Sequence, residues 1–246
     1  MKAQSIIMGM PASITIVDTA GTAADIDAAF SHLRFMDKTF STYKEDSEIQ
    51  RINRGEIKEK CCSEDVRRVL DMCEQTRIET HGYFDIHIGG AIDPSGLVKG
   101  LSIFEAAMIL RERGLLDFYV EVAGDIQVFG KNDSGKKWSV GIQNPFNPGE
   151  IVKVCHLSGS GIATSGNYRR GAHIYDPVHH RQADYIASLT VIGPNVYEAD
   201  RFATAAFAMG EEALNFIGTL DGFAGYMITN DKKARFTPSF EQYLVG

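Results

Sequence analysis

Asp200 and Thr204 stand at i and i+4 in YEADRFATAAFAMG, residues 197–210. If that segment is helical, the spacing puts a carboxylate and a hydroxyl side by side on one face. Hard oxygen donors of this kind suit Mg²⁺ or Ca²⁺, which take one or two carboxylates and fill the remaining positions with water, carbonyl or phosphate oxygens. An Asp near a helix N-terminus also serves simply as a partner of the helix dipole. The run HGYFDIHIGGAIDPSGLVKG, residues 81–100, sets Asp85 and Asp93 close to glycines and Lys99-Gly100 just before a helix predicted to start at Ser102. Backbone N–H groups, an ammonium and a helix N-terminus can converge there on an anion, although an ordinary turn with solvated Asp and Lys gives the same pattern. The GxxxxGK[ST] loop of P-loop nucleotide binders is absent.

Three further segments carry polar residues that need a reason. In SGSGIATSGNYRRGAHIYDP, residues 158–177, Ser158, Gly159, Ser160, Gly161, Ser165 and Gly166 predict a loop rich in donors. Arg169 and Arg170 add positive charge beyond it, and His173 sits in a short extended piece before Asp176-Pro177. His173, His179 and His180 fit no common structural zinc spacing. Tyr43, in FSTYKEDSEIQRIN, residues 40–53, stands beside a polar turn where it either stacks on a planar ligand or covers the edge of the core. Gly124-Asp125 interrupts two strand patterns, as a bulge or hairpin turn does, and the glycine lets a ligand approach the backbone.

The elements that must position these residues follow from periodicity. Ala12 to Val17 alternates as an opening strand. Ile26, Phe30, Leu33 and Phe40 form one helical stripe, with Asp25, Asp27, Arg34 and Lys38 on the wet side. A second helix starts at a Ser63 cap and runs through Val66, Val69, Leu70 and Cys73. A third is predicted from Ser102, three residues before Glu105 in a capping-box spacing, to a stop near Gly114. From Phe118 onward YVEVAG, DIQVFG, KWSVGIQ, EIVKVCHL and ASLTVIG are short alternating runs broken by turns. A last helix over Tyr197 to Met209 and strands near Gly225 to Thr229 and Ala234 to Phe236 close the chain. This predicts an α+β class with a mixed or antiparallel sheet core and flanking helices, and one domain over residues 1–246.

Composition narrows the partners. The chain has 246 residues, 44% hydrophobic and 23% charged, an ordinary globular balance far from disorder. With 25 basic against 32 acidic residues the net charge is −7, so no overall positive field attracts nucleic acid or anionic lipid. No apolar run approaches the ~20 residues that span a bilayer. Cys61 and Cys62 are adjacent, Cys73 and Cys155 are isolated, and no CxxC occurs, which reads as reduced thiols.

MGMP at Met8 to Pro11, FSTYKEDSEIQRIN, GYFDIHIGG, IDPSGLVKG, EVAGDIQVFG, ATSGNYRR with HIYDP, and ADRFATA occur in an order that resembles the FAD:protein FMN transferases of the ApbE family. The resemblance runs from Met8 to about Gly210 and implies an ApbE-like, T-fold-like architecture. It further implies Mg²⁺-dependent transfer of FMN from FAD to a Thr or Ser hydroxyl of a target flavoprotein, joined through a phosphoester bond, with AMP released. Met8, Tyr43, Tyr83, Phe84, Asp85, Asp93, Lys99 and Ile174 look like FAD contacts. The Gly96 carbonyl with Asp200 and Thr204 resembles the metal site, and His173 the base that accepts the hydroxyl proton. Asp93-Pro94-Ser95-Gly96 departs from the usual Asp-Leu-Gly-Gly, and Gly89-Gly90 from the usual Gly-Pro; Pro94 removes a backbone donor. The alternatives are an FAD pyrophosphatase yielding FMN and AMP, and a non-catalytic FAD binder. The first residues show no signal peptide or lipidation cysteine, so the expected location is cytoplasmic, with a trimmed export signal as the alternative.

Overall fold

A computed structural model describes residues 1–166 and 175–244. A hairpin of β1 (Lys2–Ile7) and β2 (Met10–Ile16) is followed by α1 (Ala23–Phe40), α2 (Glu48–Asn53) and α3 (Glu64–Glu79). A small ladder of β3 (His87–Ile88) and β4 (Ala91–Ile92) leads into α4 (Ser95–Glu112). Then come β5 (Phe118–Val122), β6 (Asp125–Phe129), β7 (Trp138–Gln143), β8 (Ile151–Leu157) and β9 (Gly161–Gly166). The chain closes with β10 (Tyr175–Asp176), β11 (Arg181–Gln182), β12 (Ile186–Gly193), α5 (Val196–Met209), α6 (Ala213–Thr219), β13 (Ala224–Thr229) and β14 (Ala234–Phe236).

Among the described residues, eight strands form one sheet in the order β1-β2-β5-β6-β9-β12-β13-β14, and every neighbouring pair is antiparallel. The expected α+β class therefore stands. Alternation sorts the two faces. Phe118, Val120 and Val122 of β5 pack with Phe30 and Leu33 of α1 and Ile103 and Leu110 of α4. Leu189 and Val191 of β12 pack on Ala199, Ala203 and Phe207 of α5. On the opposite face Val128, Ile162, Ile192 and Tyr226 meet Ile142 and Leu157 of the β7–β8 ribbon and Phe240. With both faces covered, all eight residues of β12 are buried, which is why it reads as a nearly unbroken apolar run. No described helix is long and apolar enough to cross a membrane, and none of the four cysteines is in a disulfide.

Three expectations are corrected. The helix predicted to begin at Ser102 begins at Ser95, and Ser102 is buried inside it, its hydroxyl donating to the Val98 and Lys99 carbonyls at 2.8 Å each. Gly96 and Gly100 depress helix propensity over the first turns, but packing against α5 overrides it. The capping box lies instead at Thr22 and Asp25, whose carboxylate accepts from the Thr22 backbone N–H at 2.8 Å. Asp25 is accordingly buried, not on the wet side. Finally, Gly161, Ser165 and Gly166 belong to a central strand, β9, not to a donor loop, because pairing with β6 and β12 satisfies its backbone.

Gly161 is where the sheet carries the start of α5. A Cβ there would lie 1.9 Å from the Val196 nitrogen and 2.1 Å from the Asn195 carbonyl carbon, both backbone atoms. Gly161→Ala is expected to cost about 3 kcal/mol or more, which lowers Tm by about 6–12 °C in a chain of this size. Thermal unfolding checks this; an unchanged Tm would contradict the close approach.

Candidate active site

α5 starts at an Asn195 cap, whose side chain accepts from the Glu198 N–H at 2.9 Å. Its rotation is fixed from two sides. Arg201 turns toward α3, paired with Glu79 and, at 2.6 Å, with Glu198, and lies 4.0 Å over the Phe202 ring. Asp200 and Thr204 consequently face the first turns of α4, as the i, i+4 spacing expects. At that crossing Gly100 is required by space, since a Cβ there would sit 2.5 Å from the Asp200 Cβ, and Gly96 is tightly packed, a Cβ there lying 3.0 Å from the Thr204 methyl.

The close approach builds a charged cluster. Asp200 Oδ2 accepts from the Gly100 N–H at 2.8 Å, and Asp200 Oδ1 is 3.3 Å from the Lys99 ammonium. The same ammonium lies 2.5 Å from Asp125 Oδ2, while Asp125 Oδ1 accepts from the Thr164 N–H at 2.9 Å. Each carboxylate side chain is only 2% exposed. Two desolvated acids thus share one cation, and the cluster is one positive charge short among the described residues. Burial accordingly pushes the Asp200 carboxyl up to about 7, opposed by Lys99 and reinforced by Asp125. Thr204 Oγ1 donates to the Gly96 carbonyl at 3.3 Å, so hydroxyl, carbonyl and carboxylate oxygens converge. This all-oxygen set with an unbalanced negative charge fits a hard divalent cation such as Mg²⁺.

The cluster opens into a cleft of about 1390 Å³, larger than the ~300–1,000 Å³ of common small-molecule pockets. Tyr43, Tyr83, Phe84, Asp85, Asp93, Gly96, Lys99, Asp200 and Thr204 all line it. Tyr43 is 89% exposed at the rim and covers no core. Asp93 accepts the Ser95 N–H at 2.9 Å in the turn that leads into α4, whose first residues Ser95 and Gly96 line the cleft. Asp85 accepts the His87 backbone N–H at 2.8 Å and stands 3.1 Å from His87 Nδ1. Met8 is not on the described wall: its N–H donates to Asp37 at 3.1 Å and its side chain packs on the core, while Gly9, Met10 and Pro11 line the cleft. His173 and Ile174 lie outside the described residues.

Asp125 was not anticipated as a site residue, because Gly-Asp after a strand is a common hairpin turn. A signal was present in period two: Asp125 and Gln127 alternate with Ile126 and Val128, and both polar residues are buried on the helix side. Gln127 Oε1 accepts the Val196 N–H at 2.8 Å, helping to seat α5. The turn itself is type I′-like, with Ala123 at φ 53° and Gly124 at φ 94°, and the Ala123 N–H donates to the Pro11 carbonyl at 2.9 Å. Met8 at φ 53° and Gly9 at φ 71° make the matching turn beside it. A non-glycine residue at each first position stores strain at the cleft mouth. Residues 138–143, which the sequence shows only as an alternating strand, also form part of the cleft wall.

Asp200 gives the metal-free protein a definite pH dependence. Its carboxyl, pushed up to about 7 in the folded chain, lies above the ordinary carboxylate range, so folding takes up a proton between the two. Its contribution to stability therefore grows as pH falls through about 7. Asp200→Asn is expected to remove that component of the slope. Denaturant melts of both proteins between pH 5 and 8 check it; parallel curves would contradict it.

The ApbE family model matches residues 8–93 and 89–227. Over 168 residues, 63% of this chain, the sequence is 32% identical to the FAD:protein FMN transferase of Escherichia coli, covering 48% of that protein. Over 159 residues, 60% of this chain, it is 31% identical to that of Haemophilus influenzae, covering 46% of it. The match thus spans about half the length of these curated relatives. Among solved structures, the flavin transferase ApbE of Vibrio cholerae superposes with a TM-score of 0.84 at 21% identity, over 99% of both chains. The ApbE protein of Thermotoga maritima gives 0.86 at 17% identity, over 100% of this chain and 99% of that one. The motifs and the family match thus cover nearly the whole chain, and the fold agrees: this protein belongs to the ApbE family.

Proposed function

We propose that this chain transfers FMN from FAD to a Thr or Ser hydroxyl of a target flavoprotein in a Mg²⁺-dependent reaction that releases AMP. The observation that carries the reading is the buried pair Asp125 and Asp200 sharing Lys99 at the wall of a cleft with room for a dinucleotide. The relatives' names support the same activity.

In this reading Asp200, Thr204 and the Gly96 carbonyl hold the metal. A Mg²⁺ held by these oxygens would supply positive charge to offset that of the pyrophosphate and of the departing AMP. Lys99 and the N-terminal turn of α4, preceded by Asp93, offer an ammonium and backbone donors to the phosphates. Tyr83, Phe84 and Asp85 line the cleft for the rest of FAD, Tyr43 offers a ring at its rim, and Met8 and Ile174 are carried from the family resemblance. His173 accepts the proton of the acceptor hydroxyl as its oxygen bonds to the FMN phosphorus and the bond to AMP breaks. A histidine with an ordinary pKa near ~6.5 suits that step at neutral pH. The domain at work is residues 1–246 as a unit.

The test is to incubate the protein with FAD and Mg²⁺, with and without a flavin-acceptor domain, and follow AMP, free FMN and acceptor mass. Transfer gives AMP and a flavinylated acceptor. AMP with free FMN and no acceptor gain means hydrolysis, and bound FAD without AMP means a binder. Asp200→Ala is expected to abolish turnover at limiting Mg²⁺. His173→Ala is expected to slow transfer by about 10²–10⁴ while changing FAD affinity far less. Unchanged rates in either variant would sink the assigned role.

A further inference from the structure

Asp125 is the fixed member of the charged cluster. It opens β6 directly after the Ala123–Gly124 turn, paired with Val122 of β5. The β6–β9 pairing stops at Ile126–Ile162, and beyond it the Asp125 carboxylate takes the place of a backbone carbonyl, its Oδ1 accepting the Thr164 N–H at 2.9 Å. Thr164 is held in turn, its hydroxyl 2.8 Å from that of Thr190 on β12. The remaining oxygen of the buried carboxylate, Oδ2, meets the Lys99 ammonium at 2.5 Å.

Lys99 is the movable member. Its four-carbon stem ends in a rotatable ammonium, and two acids compete for it, Asp125 at 2.5 Å and Asp200 Oδ1 at 3.3 Å. Asp200 Oδ2 already accepts the Gly100 N–H at 2.8 Å, so Oδ1 is the oxygen of this acid with no backbone donor among the described residues. An ammonium settled on Oδ1 would neutralise the one carboxylate that, with Thr204 and the Gly96 carbonyl, is read above as the holder of a cation. Of the two acids, only Asp125 draws the ammonium away from that oxygen.

We propose that Asp125 is a positioning residue: a seat built into the sheet that draws the Lys99 ammonium off Asp200 and so keeps Asp200 Oδ1 open to a divalent cation. The inference rests on the metal-dependent reading above and deepens it. Other roles for Asp125 make different demands. A direct ligand, or a charge acting through space, helps cation binding whether or not Lys99 is present, whereas a seat for Lys99 matters only when the ammonium is there to be seated. A packing role needs only the volume of the side chain and its acceptor for the Thr164 N–H, and an asparagine keeps both.

The test is a double-mutant cycle read as Mg²⁺ affinity, by calorimetric titration of MgCl₂ into the ADP-saturated whole chain. It compares the wild type, Asp125→Asn, Lys99→Met and the double variant, with thermal melts showing that each is folded. Asp125→Asn is expected to weaken Mg²⁺ binding by about tenfold or more, the usual worth of a hydrogen bond to a charged group. In the Lys99→Met background the same change is expected to bring no such loss. Asp125→Glu, which returns the charge on a longer stem within reach of the flexible ammonium, is expected to regain most of the affinity. That variant carries the test if Lys99→Met does not fold, because a packing role makes the larger Glu worse than Asn. Equal losses from Asp125→Asn in both backgrounds, or a Glu variant that binds no better than the Asn one, overturn the proposal. If the wild type binds Mg²⁺ and Asp125→Asn binds it equally, this inference fails alone; if the wild type binds none, the metal-dependent reading fails with it.

Discussion

The site depends on how closely two helix backbones pass. At Gly100 the first turns of α4 meet α5 so tightly that no side chain fits between them, and the Asp200 carboxylate takes its hydrogen bond from a mid-helix N–H. That contact withdraws Asp200 from water, places it beside Lys99, and leaves Asp125 on the facing strand to share the same ammonium. Burying two acids against one cation is unfavourable unless more positive charge arrives. Among the described residues the cluster therefore carries an electrostatic deficit at one defined place, which a proton on Asp200 or an added cation offsets.

The remaining elements act as supports for that crossing. Gly161 lets the start of α5 rest on β9, and the Gln127 side chain accepts from its first N–H. Arg201, held by Glu79 and Glu198 on the far side, prevents the helix from rotating Asp200 out of place. On the opposite sheet face residues 138–143 of the β7–β8 ribbon form part of the same cleft's wall.

Much of this was legible in the sequence. Helical and alternating periodicities located α1, α3, α5 and the strands from β5 onward, because each buries one well-defined face. The i, i+4 pair Asp200 and Thr204 announced its shared face. The misses have a common cause in glycine. Gly96 and Gly100 look like a loop before Ser102, and Gly161 to Gly166 looks like a donor-rich turn. At Gly100 and Gly161 the close approach of α5 leaves no room for a side chain, and that demand is invisible to local propensity. Asp125 was hidden for a related reason: its turn signal was read, but its pairing with a lysine distant in sequence is set only by the sheet. The motif order could still point to the family, because it does not depend on placing those contacts.

The most direct test of the charge deficit is calorimetric titration of Mg²⁺ into the metal-free protein saturated with ADP, near pH 7 in two buffers of different protonation enthalpy. The account expects binding to release a fraction of a proton from the cluster, and expects Asp200→Asn to weaken binding and abolish that release. Equal affinity in Asp200→Asn, or no Mg²⁺ binding by the wild type, would contradict it.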